Sequence, residues 1–238
     1  MTTSGTASFN LDLNDIIEEA YERCGVEVRT GYEHRTARRS LNLLFADWAN
    51  RGINLWTIEQ GSINLVQGQI AYDLPVDTVD LLEHVIRTGA GNTSTQADLT
   101  ISRISVSTYA TIPNKLQQGR PIQVWVNRQS GATTPTGVNA PQINVWPSPD
   151  GSQAYQFVYW RMRRIQDSGS GTATQDIPFR FLTCLVSGLA YYLALKIPEA
   201  LNRLEPLKQM YDEAWDLAAG EDREKAPDRL VPRRMYIS

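Results

Sequence analysis

Residues Arg38 to Pro75 read RRSLNLLFADWANRGINLWTIEQGSINLVQGQIAYDLP, and the hydrophobic period changes halfway along this stretch. From Ala37, just before it, apolar residues fall at Leu41, Leu44 and Trp48, steps of four and three that keep one helical face on a core. Arg51-Gly52 closes that helix, because glycine suits the left-handed backbone in which helices commonly end. Leu55 and Trp56 then bring large apolar surface back onto the helices. Alternation takes over at Ile63 and Leu65, turns at Gln67-Gly68, and resumes through Ile70, Tyr72 and Leu74. That pattern predicts two short strands joined at a glycine. The stretch is a scaffold junction and holds no catalytic group.

Working outward, Asp12 or Asn14 suits the N-cap of a first helix, with Leu13, Ile17, Ala20 and Cys24 along one side and Gly25 as its stop. The second helix is expected from about Glu33 to Arg51. Strand patterns follow at 62–66, 69–73, 81–87, 121–127, 142–146 and 155–162, separated by loops rich in Gly, Ser, Thr, Asn and Pro. They predict a small antiparallel β sandwich or barrel. Helix returns at Pro178, with Phe179, Leu182, Val186, Leu189 and Leu193 at steps of three and four. Gly188 inside this apolar helix costs about 1 kcal/mol of propensity, which a close helix crossing would justify. A last helix carries Leu204, Leu207, Tyr211, Ala214 and Ala218, with Pro206 set to kink or restart it.

Neither helix pair hides its apolar stripe alone, and each can hide the other's. The expected fold class is therefore α+β: a helical bundle built from N- and C-terminal helix pairs, an inserted antiparallel β domain, and an extended C-terminal arm. The expected boundaries are 1–56 and 176–219 for the bundle halves, 57–175 for the β domain and 220–238 for the arm.

The chain of 238 residues is 42% hydrophobic and 21% charged, with a formal net charge of -3. That balance gives no global affinity for nucleic acid. No apolar run approaches bilayer length, and the N-terminus lacks the basic start and apolar core of a secretory signal. Cys24 and Cys184 sit in helical patterns among apolar neighbours and read as buried reduced thiols. The two histidines, His34 and His84, are too few for a metal site without CxxC or HxxxH, and no cofactor is implied.

Catalysis has little to build on. Neither histidine lies near a G-x-S-x-G elbow. Gly89-Ala-Gly91 lacks the helix and the Gly-Lys-Ser/Thr of a phosphate loop and reads as a surface turn. The acidic pairs Glu18-Glu19 and Asp212-Glu213 point about 100° apart on a helix, so they cannot flank one bond and read as solvated faces. Arg35, Arg38 and Arg39 share a helix face and are candidate subunit or DNA contacts. Arg161, Arg163 and Arg164 line a strand and its end and raise the same question. Because no aromatic base-stacking pattern accompanies them, a neighbouring acidic subunit or plain solvation is favoured over DNA.

From Arg229 onward acidic side chains disappear. Arg229, Leu230, Val231, Arg233, Arg234, Met235, Tyr236 and Ile237 mix basic and apolar character, and Pro227 and Pro232 forbid a continuous helix. Such a segment cannot fold alone, yet carries apolar residues that a merely disordered tail has no use for. It reads as an arm that orders on a partner.

Three stretches together resemble the head-to-tail adaptor (connector) proteins of short-tailed bacteriophages. They are Arg39–Leu44 with Trp48, Arg51-Gly52 and Asn54–Trp56; Gln69–Pro75 leading into Val79–Ile86; and Ile177–Leu182 through Gly188–Lys196, with Tyr211–Trp215 after it. The region from about Thr88 to Gln156 adds little. The resemblance implies a virion protein, made in the host cytoplasm, that forms a dodecameric ring between the portal protein and the tail nozzle protein. Such a ring extends the channel for genomic double-stranded DNA and helps retain the packaged genome. It implies no enzyme activity and no membrane partner, and it lays the C-terminal arm along the portal. A cell-wall-degrading tail component and a sequence-independent DNA-binding protein are the alternative readings.

Overall fold

The computed structural model describes residues 3–52, 55–128 and 140–223, a mixed α+β chain. Its five helices among those residues are α1 (Leu13–Cys24), α2 (Gly31–Asn50), α3 (Val106–Thr111), α4 (Leu182–Ala194) and α5 (Leu204–Glu221). Its strands are β1 (Ile58–Asn64), β2 (Ala71–Asp73), β3 (Thr78–Thr88), β4 (Ala97–Thr100), β5 (Ser102–Arg103), β6 (Gln123–Asn127), β7 (Gln142–Trp146) and β8 (Tyr155–Arg163). The chain divides into two compact units, one from Met1–Trp48 with Asp167–Ser238 and one from Ala49–Gln166.

In the first unit, Asp12 settles the choice of cap for α1. Its carboxylate accepts from Asp15 N–H while the Asp15 side chain reaches back to the Asp12 N–H, a reciprocal box that satisfies two orphan donors. Helix α4 is apolar almost all round and is correspondingly buried along most of its length, with Thr183 exposed and Tyr191 and Tyr192 half-buried. It packs against both α1 and α5. Gly188 marks a close approach. A Cβ there would lie 2.9 Å from the Tyr211 ring of α5 and 3.0 Å from Leu44 Cδ2 of α2, so the propensity lost at glycine is exchanged for a tight crossing of two helices at once.

Several polar groups in this unit are partnered across helices. Arg23 donates to Ser187 Oγ at 2.8 Å, Lys196 donates to Ser40 Oγ at 2.7 Å, and Cys24 Sγ–H donates to the Ala190 carbonyl at 3.3 Å. Both cysteines are buried and neither is in a disulfide, and burial pushes the Cys24 thiol up to about 11. Pro206 restarts rather than kinks. A 3-10 segment, Pro198–Arg203, precedes α5, so the proline occupies its first turn, where a missing N–H costs no bond. Similarly, Pro178 caps a 3-10 turn, Phe179–Phe181, ahead of α4.

The second unit holds two four-stranded sheets, ordered β1-β8-β3-β4 and β2-β7-β6-β5. Strands of both contribute to one apolar core that includes Tyr72, Leu74, Leu81, Ile86, Val124, Ile143, Val145 and Phe157. The expected hairpin at Gln67-Gly68 is not one. β1 pairs with β8 and β2 with β7, so the chain leaves one sheet and enters the other at this turn. Tyr72 holds the crossing: its buried hydroxyl accepts from Val66 N–H at 2.9 Å and lies 3.1 Å from the Val66 and Gln69 carbonyls. The alternation read from sequence is correct in both strands, but alternation cannot say which strand is the partner.

A second switch lies between β4, on β3, and β5, on β6; Ile101 between them packs on the core. β5 and β6 run parallel, a departure from the all-antiparallel expectation. Parallel neighbours need a crossover, and α3 lies in the connection between them. Gly52 also differs from expectation: its φ of +144° is open to glycine but is not the left-handed cap, and α2 ends at Asn50. Gly89 and Gly91 form the turn of the β3–β4 hairpin, with Asn92 N–H donating to the Gly89 carbonyl.

Candidate functional site: charged helix faces

The buried stripe of α2 runs through Ala37, Ser40, Leu41, Leu44, Phe45 and Trp48. Tyr32, Arg35, Arg38, Arg39 and Asn42 fall on the opposite side of the helix and line one surface groove of about 460 Å³. The structure thus brings together the three arginines singled out in the sequence. Arg35 and Arg39 are exposed, and Tyr32 beside them is 64% exposed. None of the three arginines pairs with a carboxylate among the described residues; the one bond found is Arg39 to Thr36 Oγ1 at 3.4 Å. Arg38 Nε is enclosed and has no partner among those residues. In a chain of net negative charge, an unneutralised cationic helix face is unspent surface.

Helix α1 carries the complement. Asp15, Glu18 and Glu22, at steps of three and four, lie opposite its stripe of Leu13, Ile16, Ile17, Ala20 and Cys24. Glu18 and Glu22 are exposed and meet no cation among the described residues, whereas Glu19 is held by Arg23 at 2.9 Å. These acids form one wall of a groove of about 570 Å³ between α1 and the start of α4, whose apolar surface comes from Phe9, Leu11, Leu182 and Val186. Phe9 is 76% exposed. The sequence reading weighed Glu18-Glu19 as neighbours and missed this face; the signal was the spacing Asp15, Glu18, Glu22.

The other arginine group belongs to structure. Arg161 is buried, donates to Asp77 at 2.6 Å, Thr78 at 2.9 Å and Glu59 at 2.9 Å, and so ties β8 to β1 and to the start of β3. Arg163 donates to Glu59 at 2.6 Å. With their charge answered inside the unit, Arg161 and Arg163 are withdrawn as phosphate contacts, and the acids that answer it are the chain's own rather than a neighbour's. Arg161 holds the Asp77 carboxyl below the usual carboxylate range.

His84 lies in β3, stacked on Phe157 with ring centroids 5.9 Å apart, and both its ring nitrogens are enclosed without a partner among the described residues. Among those residues no three His, Cys, Asp or Glu side chains group as metal ligands, and no helix is long and apolar enough to cross a membrane. Helix α5 ends at Glu221, where buried Asp222 accepts from Arg180. The arm residues Arg229, Leu230, Val231, Arg233, Arg234, Met235, Tyr236 and Ile237 lie outside the described residues.

Fold and surface together describe a mixed α+β scaffold with two charged helix faces that find no partner among the described residues. The family model of the SU10 adaptor protein matches residues 10–233. The chain belongs to that family: it is a phage adaptor, a structural protein of the virion. No curated protein sequence matches it.

Proposed function

We propose that this chain forms a ring adaptor, dodecameric as the resemblance implies, between the portal vertex of the phage head and the tail nozzle. The ring extends the DNA channel and helps retain the packaged genome. The observation that carries the reading is the family match across residues 10–233. The helical unit supports it, because α1, α2, α4 and α5 share one core while leaving charged outer faces for neighbours. We read those four helices as the bundle of the adaptor and the two sheets as its inserted β domain.

The C-terminal arm is the portal anchor in this reading. Leu230, Met235, Tyr236 and Ile237 fill pockets on the portal while Arg229, Arg233 and Arg234 pair with carboxylates there. Ordering so many residues costs entropy, so one arm binds weakly and a ring of arms binds tightly. Cryo-electron microscopy of the chain mixed with the portal protein of the same phage is the test. A ring of copies seated on the portal is the expected result, and deleting Arg229–Ser238 should leave a folded chain that no longer seats. Single unringed copies, or seating unaffected by the deletion, would overturn the corresponding part of the reading.

A further inference from the structure

We infer that the ring interface is heterologous and that its two halves are the arginine face of α2 on one copy and the acidic groove of α1 and α4 on the next. This rests on the ring reading above and specifies the surfaces that make it. The occupant is a second copy of this chain because the two faces complement each other in charge and each exposes an aromatic ring. Arg35, Arg38 and Arg39 find no carboxylate within the described residues, and Glu18 and Glu22 find no cation. Each face lacks what the other carries.

Apolar character matches as well. The arginine face presents Tyr32, exposed at 64%, and the acidic groove offers Phe9, exposed at 76%, beside the largely buried Leu182 and Val186. Tyrosine and arginine are the residues most enriched in interface cores, and an arginine stem covers apolar surface while its guanidinium reaches an acid. The two faces are different patches on one molecule, so their contact is head-to-tail. Repetition of such a contact closes into a ring when the rotation permits, whereas a self-complementary patch would stop at a dimer. Exposed charges on different copies also attract over about a Debye length, which makes assembly sensitive to salt.

The test uses the full-length chain and two charge-reversed variants, Arg35→Glu/Arg38→Glu/Arg39→Glu and Glu18→Arg/Glu22→Arg. Mass photometry or sedimentation velocity reads the oligomer, alone and with portal protein, and circular dichroism melts verify that each variant folds. Each variant alone should lose all species above the monomer under conditions where the unmodified chain assembles. Mixed one to one, the variants should co-assemble into an alternating ring, because native faces meet at one contact and the two reversed faces meet at the next. Both sets of reversals in one chain should restore the ring.

If the unmodified chain forms no ring on its own or on the portal, the ring reading fails and this interface with it. If it does form one and both variants still assemble, only the interface assignment fails. If the arginine variant assembles normally but loses salt-sensitive binding to a DNA duplex, the α2 face is a nucleic-acid surface and the proposal is wrong. Should the variants misfold, the milder Arg35→Gln/Arg39→Gln and Glu18→Gln/Glu22→Gln pairs replace them. Those should raise the assembly concentration at low salt, and an unchanged value counts against the interface.

Discussion

The indole N–H of Trp48 donates to the Tyr211 hydroxyl at 2.9 Å, joining α2 to α5 across 163 residues of sequence. Around that bond Trp48 packs on Phe181 at 5.6 Å and Trp215 at 5.4 Å, and Tyr211 stacks on Tyr191 at 6.3 Å. Both partners are buried, so the bond answers a polar atom that water cannot reach. Trp48→Ala should cost the helical unit about 3–5 kcal/mol through the cavity it leaves. Tyr211→Phe should cost about 1–3 kcal/mol by orphaning the indole N–H, and Trp48→Phe with Tyr211→Phe should cost less than the sum of Trp48→Phe alone and Tyr211→Phe alone. Urea unfolding of the four chains gives the coupling. Strict additivity would show that the bond contributes nothing.

Gly188→Ala sets propensity against packing. Alanine gains about 1 kcal/mol in a helix interior. Here its methyl would come within 2.9 Å of a Tyr211 ring already fixed by Trp48 and Tyr191, and within 3.0 Å of Leu44. Overpacking of this kind typically costs about 1–3 kcal/mol, so the net change should be destabilising. Gly220→Ala is the contrast. Nothing lies within 4 Å of its Cβ position, and it should be neutral or stabilising. Thermal melts of the two variants should shift in opposite directions, or Gly188 alone should lose; a stabilised Gly188→Ala would mean that α4 does not cross its neighbours this closely.

The sequence carried the helices well because their burial is one-sided and periodic. Ala37, Leu41, Leu44 and Trp48 were legible from spacing alone, and all are buried. Helix α3 was not legible: none of its six residues is buried, so no stripe was written into it, and its one signal is Ser105 capping the Thr108 N–H. The two sheet switches were hidden for a related reason. Residues at 63, 65, 72 and 74 face one core whether their strands pair with each other or with β8 and β7, and alternation records the face, not the neighbour. The arginine cluster of α2 was visible as a helix face, but whether its charge is answered depends on tertiary contacts. The same limit applied to Arg161, whose acids are Asp77 and Glu59, 84 and 102 residues away.

Arg161 predicts an asymmetry. Its side chain is 10% exposed, while those of Glu59 and Asp77 are 45% and 43% exposed. Removing the acids with Glu59→Ala/Asp77→Ala leaves a buried cation without a counter-charge, which should cost about 3–5 kcal/mol. Arg161→Met removes the buried charge and leaves two carboxylates that water can reach, so it should cost clearly less. Chemical denaturation followed by a probe in the sheet unit measures both. Equal losses would mean that the site is a surface ion pair and not a buried one.

Between pH 7 and 5 the pH dependence of the sheet unit should come chiefly from His84. Burial, and then the positive charge of Arg103, hold His84 below its ordinary value, with Glu83 opposing them weakly. Above about pH 6.5 the imidazole is neutral in both folded and unfolded chains, and it contributes no slope. As pH falls through that value the unfolded chain takes up the proton first, so stability declines, by at most about 1.4 kcal/mol per pH unit, until the folded pKa is reached. Asp77 acts in a separate, lower window. Its depressed carboxyl holds stability above the unfolded value of about 4 and loses it only as the pH drops below. Between pH 7 and 5, therefore, the slope belongs to His84. His84→Leu removes the proton site and two enclosed nitrogens that have no partner among the described residues, and replacing such a group by an apolar one is neutral or stabilising. The variant should match or exceed the unmodified chain at pH 8 and exceed it by more at pH 5. Urea midpoints at pH 8, 7, 6 and 5 measure the difference, and parallel curves for the two proteins would show that His84 is protonated as easily in the fold as out of it.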